Sequence, residues 1–108
     1  MSSPIGEDPL ALIRDVRDPT PLEAAPGLVD GRDILLKRED LGPNGAFKWR
    51  GALAACAALR DHGARGVVTS STGNHGAATA WACRRIGMTA DVVVPLGASP
   101  AKCQLVAS

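Results

Sequence analysis
The sequence predicts an α/β fold, a parallel sheet with helices on both faces. Three observations carry that reading. Short apolar runs alternate in order with longer alanine-rich stretches. The runs are continuous rather than alternating with polar residues, as in strands covered on both sides. Each of the first two alanine-rich stretches also closes on a glycine, Gly63 and Gly87, the residue that ends helices most readily.

The elements follow in chain order. Residues 9–16 suit a short helix, with Asp8 as its cap and Pro9 at its first position. Thr20-Pro21-Leu22 is extended, because the residue before proline avoids the α region. Ile34-Leu35-Leu36-Lys37 is a short strand after the Asp30-Gly31 turn signal, and Leu41-Gly42-Pro43-Asn44-Gly45 is a loop. A helix is expected over residues 48–62, with Leu53, Ala57 and Leu59 on its core-facing stripe. A strand over residues 67–70, a helix over 74–86 and a strand over 90–94 come next. Ser99-Pro100 then reads as the N-cap and first residue of another helix. That helix has run about two turns at Ser108 and no later strand completes the sheet, so residues 1–108 read as the N-terminal portion of a larger domain.

Composition narrows the function. A chain of 108 residues, 45% apolar, can bury a core. Its net charge of +1 is spread along the chain, which argues against nucleic acid or an anionic membrane as partner. No apolar run approaches the roughly 18 residues of a membrane span. The first eight residues lack the basic and apolar regions of a secretory leader. Cys56, Cys83 and Cys103 have no metal-ligand spacing, and the first two sit in alanine-rich helical patterns. They read as reduced thiols of a cytoplasmic protein.

Two motifs stand apart from this scaffold. In Gly45-Ala46-Phe47-Lys48-Trp49-Arg50-Gly51-Ala52 a lysine occupies a loop-to-helix transition. The positive end of the helix dipole disfavours an ammonium there, and flanking Phe47 and Trp49 can desolvate it, as a nucleophilic amine requires. Alone, the same lysine also reads as a solvated side chain in a first helical turn. The second motif, Ser71-Thr72-Gly73-Asn74-His75-Gly76, lies where a parallel strand delivers its carboxyl edge to a helix, the usual ligand edge of such sheets. Helix N-terminal amides there suit a carboxylate or phosphate, and the Asn74 amide can donate to a phenolate oxygen. Alone, this motif reads equally as a capped helix after a glycine turn, and His75 in its first turn as structural. No Gly-x-Ser-x-Gly elbow, dinucleotide fingerprint or P-loop is present.

Together with Thr20-Pro21-Leu22, Lys37-Arg38-Glu39-Asp40-Leu41, Val92-Val93-Val94-Pro95 and Ser99-Pro100-Ala101-Lys102, the two motifs resemble the pyridoxal-phosphate enzymes of the tryptophan-synthase-β fold (fold type II). The nearest branch is the serine/threonine dehydratases. The resemblance covers nearly the whole chain, with the blocks in order. It implies that Lys48 is the lysine that bonds pyridoxal 5'-phosphate and later serves as base, with Phe47 against the cofactor ring and Asn74 on its 3-hydroxyl oxygen. It implies that Ser71, Thr72, Gly73 and His75 grip the substrate carboxylate.

The implied reaction is loss of ammonia from serine- or threonine-like substrates to give a 2-oxo acid, in a homo-oligomeric full-length protein. Threonine-synthase-like or β-replacement chemistry is the alternative on the same fold, and a truncated, non-catalytic fragment is the alternative of another class. Ala46 stands where many members have serine. The family's glycine-rich phosphate cup and the partner of the pyridine nitrogen match no stretch here, which removes charge-assisted hydrogen bonds worth roughly 1.5–3 kcal/mol each.

Overall fold
The computed structural model describes residues 8–71 and 73–107. The N-terminal residues 1–7, on which the expectation of no secretory leader rests, and the candidate residue Thr72 lie outside the described residues. Helix α1 spans Pro9–Val16, and Asp8 caps it as expected, its Oδ1 accepting from the Leu10 amide at 3.1 Å. Strand β1 (Leu22–Ala24) follows the proline-restricted Thr20, and β2 (Leu35–Lys37) follows the turn at Gly31. Two short 3₁₀ turns, Glu39–Leu41 and Pro43–Gly45, fill the expected loop. Helix α2 is Trp49–Asp61, β3 Gly66–Ser70, α3 Asn74–Ile86, β4 Thr89–Val93 and α4 Pro100–Ala107. Gly87 closes α3 in the left-handed region at φ 76°, where glycine carries no Cβ penalty. At α4, Ser99 Oγ accepts from the Lys102 amide at 3.3 Å, as its N-cap position predicts.

Among the described residues four strands form two sheets. β3 and β4 are parallel, running from Gly66 opposite Thr89 to Ser70 opposite Val93, and α3 makes the crossover between them. The strand expected at residues 34–37 forms, but its partner is β1. The two make a separate antiparallel ribbon, Leu22 opposite Lys37 and Ala24 opposite Leu35. Exposure along β3 and β4 alternates instead of showing burial on both sides. Val67, Thr69, Ala90 and Val92 are half-buried beneath the helices, while Val68 (73% exposed) and Val93 (59%) stand on an open face. A compact domain of this length has a radius of gyration of about 13 Å. The observed 16.6 Å, with a shortest dimension of 19 Å, describes a two-layer slab.

The core lies between α2, α3 and the covered sheet face. Trp49, Leu53, Cys56, Ala82, Cys83 and Met88 form it, with Val67 and Ala90 packed beneath. On α2 the buried stripe is Trp49, Leu53, Cys56 and Ala57, which follows the helical period. Leu59 is the exception to the expected stripe. Two residues beyond Ala57 it has turned roughly 200° away, and it is 48% exposed. Cys56 and Cys83 are free and buried, with sulfurs 3.8 Å apart, and burial pushes the Cys56 thiol up to about 12. Alanines along α3 let it lie close on the sheet. A Cβ built at Gly76 meets Val92 Cγ1 at 2.9 Å and Ser71 Cβ at 3.0 Å.

This contact makes Gly76 a packing requirement, whereas a Cβ at helical Gly51 meets nothing within 4 Å. Gly76→Ala is expected to lower stability by about 1–3 kcal/mol through overpacking. Gly51→Ala is expected to raise it by up to roughly 1 kcal/mol through helix propensity. Urea denaturation of the two variants beside wild type tests both; equal effects at the two sites would contradict the packing argument.

Candidate functional site
The site begins with the turn that precedes α2. Asn44 and Gly45 both have positive φ (61° and 66°), which reverses the chain and brings Ala46 and Phe47 to the helix start. Lys48 is the N-cap of α2, already in the α region at φ −66°, ψ −15°. Its neighbour Trp49 is turned inward, 1% exposed, with its ring edge-on to Trp81 at 5.7 Å. Gly42 sits against this indole, so closely that a Cβ there would meet Trp49 Nε1 at 2.6 Å. The expected desolvation of Lys48 between Phe47 and Trp49 is therefore corrected. Trp49 belongs to the core, while Phe47 and Lys48 are both exposed on the outer side of the helix start.

An ion-pair network holds that helix start in place. Arg50, in the first turn of α2, pairs with Glu39 Oε2 and lies over the Trp49 ring at 4.9 Å. Thr20 Oγ1 donates to Glu39 Oε1 at 2.6 Å, and Lys37 Nζ donates to the Thr20 carbonyl. The Arg50 and Thr20 hydrogen bonds hold the Glu39 carboxyl below the usual carboxylate range. Beside it Arg38 pairs with Glu23 at 2.7 Å and forks onto both Asp40 oxygens at 2.7 and 2.8 Å. Those bonds hold Asp40 low as well, Arg38 being the main cause. The Lys-Arg-Glu-Asp block thus ties the β-ribbon to the lysine motif.

The second motif forms the N-terminus of α3. Ser71 Oγ accepts from the amides of Gly73 (3.2 Å) and Gly76 (2.9 Å), so Ser71 caps the helix from two residues before the nominal N-cap Gly73. Gly73, a candidate carboxylate donor, has its amide engaged internally in this arrangement. With its oxygen accepting twice, the Ser71 hydroxyl hydrogen remains available to donate. The first-turn amides of Asn74 and His75 point beyond the helix end by the geometry of any α-helix start. The Asn74 side chain is exposed there.

Lys48, Phe47 and His75 line one cleft of about 540 Å³, with Thr69 and Thr79 behind the imidazole. Nε2 of His75 is 3.0 Å from Thr69 Oγ1, and Thr79 Oγ1 donates to the His75 carbonyl at 2.9 Å. Ser71, Gly73 and Asn74 stand at the adjacent helix end and do not line this cleft. A primary amine, an aromatic side chain and largely apolar walls fit the ring and carbonyl end of an aromatic aldehyde cofactor. Arg50, Glu39 and Thr20 were not singled out as a unit by sequence, since their pairing depends on tertiary proximity. No helix among the described residues is long and apolar enough to cross a membrane.

Comparison with known proteins gives a matching picture. The family model described as "Pyridoxal-phosphate dependent enzyme" matches residues 13–108. The chain is 45% identical over 75 residues to serine racemase of Arabidopsis thaliana, covering 68% of this chain and 23% of that protein. It is 41% identical over 87 residues to the biosynthetic threonine dehydratase 1 of Solanum lycopersicum, covering 78% of this chain and 14% of that one. The structure of maize serine racemase superposes with a TM-score of 0.82 at 34% identity, over 92% of this chain and 31% of the other. The chain thus spans about a quarter or less of the length of the curated relatives it matches.

The Glu39 network generates a pH prediction. A carboxyl held low in the folded state takes up its proton more readily when unfolded, so its contribution is full above the ordinary glutamate pKa and is lost as pH falls through the lowered one. Glu39→Gln is expected to lower stability at neutral pH by about 1 kcal/mol, discounted for partial exposure. It should also flatten the acid limb of a melting-temperature profile. An unchanged acid limb would show that the network contributes nothing.

Proposed function
This chain belongs to the pyridoxal-phosphate-dependent enzymes, and on that premise we propose that it serves an ammonia-lyase (dehydratase) acting on serine- or threonine-like hydroxy-amino acids. The observation that carries the reading is the placement of Lys48 and His75 on one cleft beside the N-terminus of α3. The similarity to threonine dehydratase supports the substrate class. The family's cofactor, when bound, supplies a carbonyl for an amine and a ring that accepts electron density from the substrate Cα.

The chain's own residues take the remaining tasks. Lys48 would hold the cofactor through its amine, and the same amine, when free, would accept the Cα proton. Phe47 would lie against the ring, and Asn74, at the adjacent helix end, would donate to the ring oxygen. Ser71 offers its free hydroxyl hydrogen to the substrate carboxylate, joined by Thr72, His75 and the first-turn amides, with Gly73 shaping the turn. Departure of hydroxide from Cβ, with a proton, removes one water. Hydrolysis then gives a 2-oxo acid and ammonia.

Racemisation is a second reading, favoured by the identity to serine racemase; it would return the enantiomer without ammonia. Threonine-synthase-like or β-replacement chemistry would likewise release no ammonia from serine or threonine alone. The open face with Val68 and Val93 favours a further reading, in which these 108 residues by themselves are non-catalytic. Homo-oligomerisation belongs to the main proposal and is read by light scattering.

The expected result with added pyridoxal phosphate is a visible absorption band that borohydride abolishes, leaving the cofactor fixed on the peptide containing Lys48. Lys48→Ala should lose both band and label. Label scattered over Lys37, Lys48 and Lys102 would contradict a formed site. Where Lys48 is labelled, ammonia and 2-oxo acid release from L-serine or L-threonine separates the dehydratase reading from the others.

A further inference from the structure
Thr69 lies outside the set of groups that touch cofactor or substrate in the reading above, yet it contacts one of them. Its backbone is fixed in the β3–β4 ladder opposite Val92, and its side chain is on the covered face. Its Oγ1 is 3.0 Å from Nε2 of His75, while Thr79 Oγ1 anchors the carbonyl of the same histidine. The residue is thereby held at two points, its ring by Thr69 on the strand and its backbone carbonyl by Thr79 a helical turn further along α3.

A half-buried hydroxyl is best satisfied when its hydrogen has an acceptor. His75 Nε2 provides one only as a bare lone pair, which in a neutral ring puts the proton on Nδ1. The opposite arrangement, Nε2–H donating to Thr69, leaves the hydroxyl hydrogen without that acceptor. We propose that Thr69 is a positioning residue: it donates to Nε2 of His75 and fixes the Nδ1–H form, so that this imidazole, which lines the Lys48 cleft, has an N–H to offer a carboxylate. The ligand part rests on the function proposed above; the tautomer part does not.

Nitrogen-15 long-range correlation spectra of the full chain at about pH 8.5, where an ordinary histidine of pKa ~6.5 is neutral, read the tautomer directly. Only His62 and His75 contribute signals. His62 is the internal reference, because its Nδ1 faces the Ala58 carbonyl at 2.8 Å and a carbonyl can only accept. The expected His75 pattern is Nδ1–H in wild type and in Thr69→Ser, which keeps the hydroxyl, with a shift toward Nε2–H in Thr69→Val. A wild-type ring protonated on Nε2, or a folded Thr69→Val with an unchanged pattern, would overturn the proposal. Should Thr69→Val not fold, the wild-type and Thr69→Ser spectra still decide the tautomer.

Acetate serves as the carboxylate probe. It should displace the His75 Nδ1 resonance in wild type and Thr69→Ser more than that of His62. No displacement in a ring carrying its proton on Nδ1 would overturn the donor role. Failure of borohydride labelling at Lys48 alongside the expected tautomer would overturn the cofactor reading alone.

Discussion
Burial of one indole organises this structure. Trp49 is the first residue of α2 and almost wholly enclosed, held by Gly42 on one side, Trp81 edge-on, and Leu53 one turn below. Successive residues on a helix are about 100° apart, so with Trp49 fixed inward the preceding side chain leaves in a different direction, and Lys48 is exposed there. Lys48 lines the cleft while Trp49 enters the core. An edge-on aromatic pair adds roughly 0.5–1.5 kcal/mol beyond the area it buries, and the Arg50 cation over the ring adds to it. Arg50 thus joins the two forces at the helix start, its guanidinium carbon lying over the indole and its Nη1 pairing with Glu39.

The two halves of the site are positioned by different chemistry. Apolar burial and an ion-pair network fix the lysine end. At the other end a single hydroxyl oxygen, Ser71 Oγ, gathers two amides and sets where α3 begins. Side-chain capping of this kind contributes about 1 kcal/mol, modest in energy but specific in direction. What brings the two ends together is the close fit of α2 on α3 through small residues and the paired thiols of Cys56 and Cys83.

Features written in local chain chemistry were legible in the sequence. Asp8-Pro9, Gly87 and Ser99-Pro100 each act on their own backbone within a few residues; α1 and α3 have the expected bounds and α4 the expected start. The antiparallel partner of residues 34–37 was not legible, because pairing of two three-residue strands depends on a contact that no periodicity records. Leu59 shows that an apolar side chain is not thereby a core one. The inward turn of Trp49 did leave a signal: it stands in helical register with Leu53 and Cys56, whereas adjacency alone suggested a role beside Lys48. Glu39, Arg50 and Thr20 carried no such signal, since their spacing is set by the ribbon's return to the helix.

The approach of α3 to β4 reaches beyond this one chain. With Gly76 against the Val92 side chain, the volumes at the two positions are no longer independent. A methyl gained at residue 76 must be given back at residue 92 or absorbed by a tilt of the helix that carries Asn74 and His75. Evolution at these positions is therefore epistatic. A larger residue at 76 costs less where residue 92 is already smaller, so the order of the two changes decides how far the helix carrying His75 is displaced in the intermediate.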